Sequence, residues 1–179
     1  MTNRKKLVTE MGRIDRDAFA QSQKLPLVVV LDNVRSLHNV GSVFRTSDAF
    51  RVECIMLCGI TATPPSAEIH KTALGAEDVV DWKYYESTMD AVAELRSQGY
   101  RVYSIELCQG SIALQDFVTA SGERYAVVLG NEVKGVQQDV VDASDGAIEI
   151  PQFGTKHSLN VSVTAGMVIW EFAKKLGLV

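Results

Sequence analysis

The run LPLVVVLDNV at residues 25–34 restricts the fold of this chain more than any other segment. It is apolar and largely β-branched, with no alternation of polar and apolar residues. Such a run is typical of a strand buried on both faces, as in parallel sheets that helices cover on either side. Further apolar runs of strand length lie at residues 53–60, 100–107, 124–130 and 146–150. The sheet therefore forms the centre of the predicted domain.

Helices are predicted between and after these runs. Asn39 can act as the N-cap of a helix that runs to about Phe50. A second helix covers residues 88–99 and closes at Gly99. Strands that alternate with helices predict a single α/β domain with a mostly parallel sheet flanked by helices.

The last segment, SLNVSVTAGMVIWEFAKKLG, begins with a strand-like alternation but favours a helix from about residue 165. Ser158 as N-cap, together with Lys174 and Lys175 in the last turn, favours the helix. Ser162 and Gly166 leave one side of this helix flat enough for close packing. A buried interface suits that side better than solvent.

The distribution of charge is uneven along the chain. A net charge of −4 and a pI near 5.4 argue against a protein that grips nucleic acid over its whole surface. Residues 1–24 nevertheless carry six basic groups against three acidic ones, whereas residues 77–94 carry six acidic groups against one lysine. We therefore expect a basic helical extension at residues 1–24, which contacts RNA, and a main domain at residues 25–179. The alternative is an amphipathic helix packed on the domain with its charges merely solvated.

Neither a metal site nor a membrane segment is predicted. Cys54 and Cys58 have no second pair to complete a zinc site, and Cys108 leaves the cysteine count odd. No stretch of about 18 uninterrupted apolar residues is present. The first residues are too polar for the apolar region of a signal peptide. The expected location is the cytoplasm, without contact to a membrane.

Three loops that follow strands carry polar groups suited to chemistry. Ligands of open α/β sheets bind outside the carboxyl ends of the strands. The first loop includes Asn39, Gly41 and Arg45, the second covers residues 129–135, and the third covers residues 150–162. The glycines of the second loop would let a flat ligand lie against the backbone. Taken alone, however, each loop is equally compatible with an ordinary turn or helix start.

Together, the three loops resemble the three motifs of the SpoU (TrmH-type) RNA 2′-O-ribose methyltransferases of the SPOUT superfamily. The matching segments are Asn39-Val-Gly41-Ser-Val-Phe-Arg45-Thr-Ser-Asp, Leu129-Gly130-Asn131-Glu132-Val-Lys-Gly135, and Ile150-Pro151…Gly154…Ser158-Leu159-Asn160-Val-Ser162. The resemblance covers roughly residues 25–176. One departure is Arg51, which stands where the family commonly has glycine.

This resemblance implies a fold, a cofactor and an assembly. The C-terminal part of the α/β domain would thread through a loop to form a trefoil knot (the SPOUT or α/β-knot fold), which general topology rules would exclude. The protein would work as a homodimer. S-adenosylmethionine would bind in the knot, with S-adenosylhomocysteine as product and no metal required. The expected cofactor-binding residues are Glu106, Leu107, Gly130, Ile150 and Leu159.

The implied reaction is methylation of a ribose 2′-hydroxyl in tRNA or rRNA. The expected catalytic residues are Arg45, Asn39, Glu132, Ser158 and Asn160. With a pKa above about 12, Arg45 is a poor base, so we expect it to hold the adjacent phosphate and the 2′-oxygen. Asn39 would orient Arg45 or the ribose, and Glu132 would position Arg45 or a backbone amide. Two alternatives remain: a noncatalytic knotted RNA-binding or assembly protein, and a SPOUT methyltransferase that acts on a base.

Overall fold

The computed structural model describes residues 3–156 and 158–179. Its centre is a seven-stranded sheet with the order β3-β2-β1-β6-β4-β7-β5, and every neighbouring pair of strands is parallel. The strands are β1 (Leu25–Asp32), β2 (Val52–Cys58), β3 (Trp82–Tyr85), β4 (Tyr100–Ile105), β5 (Ile112–Ala113), β6 (Arg124–Leu129) and β7 (Gly146–Glu149). The predicted class, a mostly parallel sheet in one α/β domain, is confirmed.

Helices cover both faces of the sheet. They are α1 (Arg16–Gln21), α2 (Leu37–Ala49), α3 (Ala67–Ala73), α4 (Thr88–Ser97), α5 (Gln138–Ala143) and α6 (Val161–Lys175). From β1, Val29 and Leu31 pack into one core cluster with residues of α2, α3 and α6. Val28 and Val30 pack into a second cluster with residues of α4 and α5. The unbroken apolar run of β1 is explained by these two cores. Within the described residues, no helix has the length and apolarity needed to cross a membrane.

Two predicted helix caps are wrong, and both errors concern the candidate site. Helix α2 begins at Leu37, because Ser36 is its N-cap and accepts a hydrogen bond from the Asn39 N–H at 3.3 Å. Helix α6 is capped by Asn160 instead of Ser158, with its side chain accepting from the Ser162 N–H at 2.9 Å. The side chain of Asn39 is therefore free to make contacts outside its own helix.

The N-terminal extension is not the continuous helix that its sequence predicts. A 3₁₀ turn at Val8–Glu10 is separated from α1 by Gly12, whose φ of +60° breaks a helix. The apolar side chains at 7, 11 and 14 are exposed, so the amphipathic helix packed on the domain does not form. Phe19 is only 4% exposed and belongs to the core, with Lys24 Nζ 3.4 Å from its ring centre. Phe19 therefore packs with the main domain, which the sequence predicts to begin at residue 25.

The connection from β4 to β5 crosses the end of β7. Ile105 and Ile112 both pair with Ile148, one from each side. Residues 106–111 must therefore pass from one side of β7 to the other where the chain leaves that strand towards α6. Such a loop is one through which a C-terminal segment can thread, and the trefoil knot itself stays a prediction.

Candidate active site

Three loops meet at the carboxyl ends of β4, β6 and β7, as expected for a ligand site in a parallel sheet. They enclose a cavity of about 470 Å³, within the range of small-molecule sites. All five predicted cofactor-binding residues line it: Glu106, Leu107, Gly130, Ile150 and Leu159. Glu132 and Ser158 also line it. The structure thus brings together residues that are more than 50 positions apart in the chain.

The glycines of the second loop allow the chain to fold back on itself. Asn131 and Gly135 exchange backbone hydrogen bonds at 3.0 and 2.9 Å. A Cβ added to Gly130 would lie 2.1 Å from the carbonyl carbon of Gly135. Gly135 has a φ of +70°, and a Cβ there would lie 2.1 Å from Glu106 Oε2. These contacts indicate that the two glycines are needed for the turn itself, and not to let a flat ligand lie against the backbone.

The carboxylate of Glu106 holds this loop against the end of β4. It accepts hydrogen bonds from the backbone N–H of Val136 at 3.0 Å and of Leu107 at 2.9 Å. One side chain therefore connects two of the three loops that form the cavity. We expect Glu106 to shape the cofactor cavity through these backbone contacts.

Glu132, Asn39 and Asn160 form a hydrogen-bonded chain that connects all three motifs. Asn39 Nδ2 donates to Glu132 Oε1 at 3.1 Å, and Asn160 Nδ2 donates to Asn39 Oδ1 at 3.2 Å. Glu132 also accepts from the backbone N–H of Arg35 and Ser36, at 3.0 and 3.1 Å. Two roles were predicted for Glu132: to position a backbone amide, or to position Arg45. The observed contacts match the first role, whereas Glu132 makes no contact with Arg45.

This chain of hydrogen bonds favours the ionised form of Glu132. Desolvation by burial would raise the pKa of the carboxyl, but hydrogen bonds from the Arg35 and Ser36 amides and from the Asn39 side chain outweigh it. The net effect is a pKa below the ordinary value. The carboxylate also lies near the first turn of α2, where negative charge is favourable.

Replacing Glu132 with glutamine should loosen the junction of α2 and the second loop. The amide would meet three N–H donors with only one acceptor oxygen, and because Glu132 is exposed we expect a loss of about 1 kcal/mol. The pKa of Glu132 is lower in the folded protein than in the unfolded chain. Its contribution to the free energy of unfolding is therefore complete above the pKa of the unfolded chain, and it is lost as the pH falls through the pKa of the folded protein. Urea unfolding of both proteins at about pH 7 and about pH 3.5 measures this difference, which should shrink at the lower pH. An equal difference at both pH values would contradict the assignment.

Gly41 makes room for a neighbouring helix. A Cβ at this position would lie 2.2 Å from the carbonyl oxygen of Ile69 and 2.2 Å from Thr72 Oγ1, both on α3. The glycine therefore allows α2 and α3 to pack in backbone contact. Its presence in the first motif is explained by helix packing without any ligand.

Arg45 is the one predicted catalytic residue that the structure leaves apart from the others. It is exposed on α2 and does not line the cavity. Within the described part of the chain, its guanidinium makes no hydrogen bond and no ion pair. The predicted contact between Asn39 and Arg45 is therefore absent from this conformation, since Asn39 is held by Glu132 and Asn160.

Sequence reasoning missed Asp32, a fully buried carboxylate at the end of β1. It accepts from Thr88 Oγ1 at 2.6 Å, from the Gln137 N–H at 2.8 Å and from Gln137 Nε2 at 2.9 Å. Asp32 thereby fixes the chain immediately after the second loop to the central strand. The sequence did contain a sign of this role, since Asp32 directly ends the apolar run and is therefore expected to be buried. A buried carboxylate requires several hydrogen-bond donors, so it must contact other segments of the chain.

The walls of the cavity are acidic. Glu106, Glu132 and Glu149 all line it, and Ser111 Oγ donates to Glu149 Oε2 at 2.5 Å. Lys134 is the only lysine or arginine among the lining residues described. Such a cavity favours a ligand that carries positive charge.

Known proteins share both the sequence and the fold. Residues 26–170 match the SpoU rRNA Methylase family. The 23S rRNA (guanosine-2′-O-)-methyltransferase of Neisseria meningitidis serogroup B is 30% identical over 87% of this chain and 61% of that protein. The tRNA (guanosine(18)-2′-O)-methyltransferase of Aquifex aeolicus is 29% identical over 87% of this chain and 72% of that protein.

A solved structure shows the same agreement in three dimensions. The AdoMet-bound rRNA methyltransferase from Sinorhizobium meliloti superposes with a TM-score of 0.78 at 27% identity, over 90% of this chain and 60% of that one. The chain spans between 55% and 72% of the length of its curated relatives. The family match covers most of the chain and includes all three motif loops. The chain therefore belongs to the SpoU rRNA methylase family.

Proposed function

We propose that this protein transfers a methyl group from S-adenosylmethionine to a ribose 2′-hydroxyl of RNA. The observation that carries the proposal is the cavity at the ends of β4, β6 and β7, which all five predicted cofactor-binding residues line. Relatives named as 2′-O-methyltransferases and a related AdoMet-bound structure support it. The location that we propose for this enzyme is the cytoplasm.

The cavity fits the donor in size and in charge. Its volume of about 470 Å³ is adequate for a molecule of this size. The donor carries a sulfonium and an ammonium group against one carboxylate, so its net charge is positive, and the walls hold the carboxylates of Glu106, Glu132 and Glu149. When bound, it supplies an activated methyl group, so the protein has to align the acceptor and assist loss of its proton.

Some of the polar residues position the helices around the cavity, and others would contact the RNA that accepts the methyl group. Asn39, Glu132 and Asn160 hold the first turns of α2 and α6 beside the cavity, through the hydrogen bonds described above. Ser158 lines the cavity with no hydrogen-bond partner among the described residues, so it is available to the ribose. Arg45 would hold the phosphate and the 2′-oxygen, lowering the pKa of the hydroxyl while phosphate or water accepts the proton.

A homodimer is part of the proposal because one chain does not place Arg45 at its own cavity. Helix α6 exposes an apolar stripe, with Val163, Met167 and Trp170 respectively 52%, 42% and 48% exposed. Gly166 lies within this stripe, and a Cβ added there would have no heavy atom within 4 Å. A stripe of this kind suits a partner helix. Association through it would let Arg45 serve the cavity of the partner.

Comparison of RNA from cells with and without the protein tests the proposal. Nucleoside digests should lack one 2′-O-methyl nucleoside when the protein is absent, and fractionation of tRNA from rRNA identifies the substrate class. Purified protein should bind labelled S-adenosylmethionine. Donor binding without any missing 2′-O-methyl nucleoside, but with a missing methylated base, would favour the base-acting alternative. Failure to bind the donor would favour a noncatalytic RNA-binding or assembly protein.

The N-terminal extension, which we now place at residues 1–14, is proposed to contact RNA. Residues 1 and 2 lie outside the described residues. Lys5, Lys6 and Arg13 form no ion pair in the described structure, and the apolar side chains at 7, 11 and 14 are exposed. Arg4 is the exception, since it pairs with Glu10 at 2.6 Å.

Deleting residues 1–13 should leave a folded, donor-binding dimer that binds RNA more weakly. This deletion keeps Asp15, which caps α1, and the core residue Phe19. The dependence of log affinity on log salt should flatten by about 0.7–0.9 for each phosphate that the extension neutralises. Replacing Lys5, Lys6 and Arg13 together with glutamine, at full length, should have the same effect. An unchanged salt dependence in both proteins would show that the extension makes no RNA contact.

A further inference from the structure

An aromatic side chain beside the cavity is almost completely exposed. Phe153 is 96% exposed, the highest value among the large apolar residues described. It follows Gln152, which lines the cavity, and precedes Gly154, beside which a Cβ would meet no other atom. Phe153 therefore lies in the loop that borders the cavity at Gln152, with its ring exposed to solvent; we call the rim of the cavity near Gln152 and Lys134 the mouth.

Two cations near this mouth, Arg35 and Lys134, have exposed side chains without an ion pair among the described residues, whereas several other surface cations are paired. Away from the mouth, Lys83, Arg101 and Arg124 each pair with a glutamate. Arg35 and Lys134 are exposed, and within residues 3–156 and 158–179 neither side chain forms an ion pair or a hydrogen bond.

The fold links Arg35 and Lys134 through Glu132, and this link places the two residues close to each other. The backbone N–H of Arg35 donates to Glu132 at 3.0 Å, and Lys134 follows Glu132 by two residues. Lys134 also lines the cavity. Both positions are well fixed, since the backbone N–H of Lys134 donates to Asn131 Oδ1 at 3.1 Å.

The mouth therefore differs from the interior in its chemistry. The interior has three carboxylates, which suit a cationic cofactor. The mouth adds two exposed cations and an open aromatic ring, which is the combination that binds unstacked nucleotides of RNA: cations contact the phosphates and the ring stacks on a base.

We propose that Phe153 stacks on an unpaired base of the substrate RNA at the cavity mouth, while Arg35 and Lys134 contact the flanking phosphates. This assignment rests on the proposed function, because it places the nucleotide beside the donor cavity. It identifies residues that select unpaired nucleotides, and it explains how a protein of net negative charge holds RNA at one site.

Stacking and phosphate contact leave different signatures in RNA binding. The probes are fluorescently labelled bulk tRNA and bulk rRNA, with affinity measured at several salt concentrations. Phe153→Ala should lower the affinity for at least one RNA by about 10-fold or more at every salt concentration, with the salt slope unchanged. Phe153→Leu should bind as weakly as Phe153→Ala, because leucine keeps apolar area but has no π face.

The cation variants should change the slope instead. Arg35→Gln and Lys134→Gln should each reduce the slope of log affinity against log salt by about 0.7–0.9. Matched controls lie elsewhere on the surface: Arg101→Gln, whose arginine is paired with Glu123, and Val118→Ala, an exposed apolar residue. Both controls should behave as wild type. Donor binding, measured by calorimetry, should be unchanged in the Phe153 and Arg35 variants and in both controls.

The possible outcomes separate this assignment from the proposed function. Wild-type RNA binding that no variant weakens would overturn the assignment alone. A shift of Phe153→Ala to a smaller species in sedimentation would also overturn it, since the ring would then contact the partner subunit. Absence of RNA binding by the wild type would overturn the proposed function as well.

Discussion

Arg45→Ala is expected to abolish methyl transfer while donor binding stays within a few-fold of wild type. The cavity is lined by loops after β4, β6 and β7, and Arg45 is not among its lining residues. Its proposed partners are the phosphate and the developing negative charge on the 2′-oxygen. Removal of a single such donor commonly lowers the rate by about 10²–10³-fold or more.

Arg45→Lys should fail nearly as completely, because an ammonium cannot reach two oxygens with the planar geometry of a guanidinium. Single-turnover rates with bulk RNA, together with calorimetry for S-adenosylmethionine, measure the two effects separately. Arg101→Ala serves as a control, because Arg101 is an exposed arginine in an ion pair away from the cavity. A loss of donor binding comparable to the loss of rate would show that Arg45 supports the cavity and not the acceptor.

Local sequence predicted the strands well because burial on both faces leaves a clear apolar run. β1, β4 and β6 lie at the centre of the sheet, and their predicted and observed bounds differ by at most two residues. β5 and α5 were not predicted, since segments of two and six residues give too short a pattern. The N-terminal segment has a helical pattern, but Gly12 interrupts it and no core surface covers its apolar side.

The motifs predicted several residues that line the cavity, whereas the contacts of these residues were not predictable. Ser36 and Asn39 are both good N-caps, and the choice between them depends on Glu132, which is 93 positions away from Asn39. Because the side chain of Asn39 donates a hydrogen bond to Glu132, it links the first motif to the second, and Ser36 caps the helix instead. Gly41 likewise owes its small size to backbone of α3, which lies in a distant part of the chain. Such long-range partners leave no local signal in the sequence.

Gly166→Leu is expected to separate the dimer and to remove activity at the same time. Nothing in a single chain lies within 4 Å of a Cβ at this position, so the monomer can accept leucine. Leucine also has a higher helix propensity than glycine by roughly 0.8 kcal/mol, which should keep or raise the stability of the fold. A partner helix on the stripe of Val163, Met167 and Trp170 could no longer approach. Gly166→Ala is the matched control, with the gain in propensity but little added bulk.

Sedimentation over a range of concentrations measures the dimer, and thermal unfolding shows that the fold is intact. We expect the dissociation constant of Gly166→Leu to rise by about 5- to 150-fold, since overpacking an interface commonly costs about 1–3 kcal/mol. A wild-type monomer with full activity at micromolar concentration would contradict both the interface and the shared site.

A mixture of two inactive variants shows whether Arg45 acts on its own chain or on the partner. Leu159→Asp would place a charge in the donor cavity but leave Arg45 intact, whereas Arg45→Ala would leave the cavity intact. If Arg45 serves the partner, each mixed dimer contains one complete site. Random pairing makes half the dimers mixed, so the mixture should recover roughly a quarter of wild-type activity. If Arg45 serves its own chain, no mixed dimer contains a complete site and activity should stay at background. Because neither variant alters the stripe on α6, recovery would show that the RNA site is completed only when two chains associate.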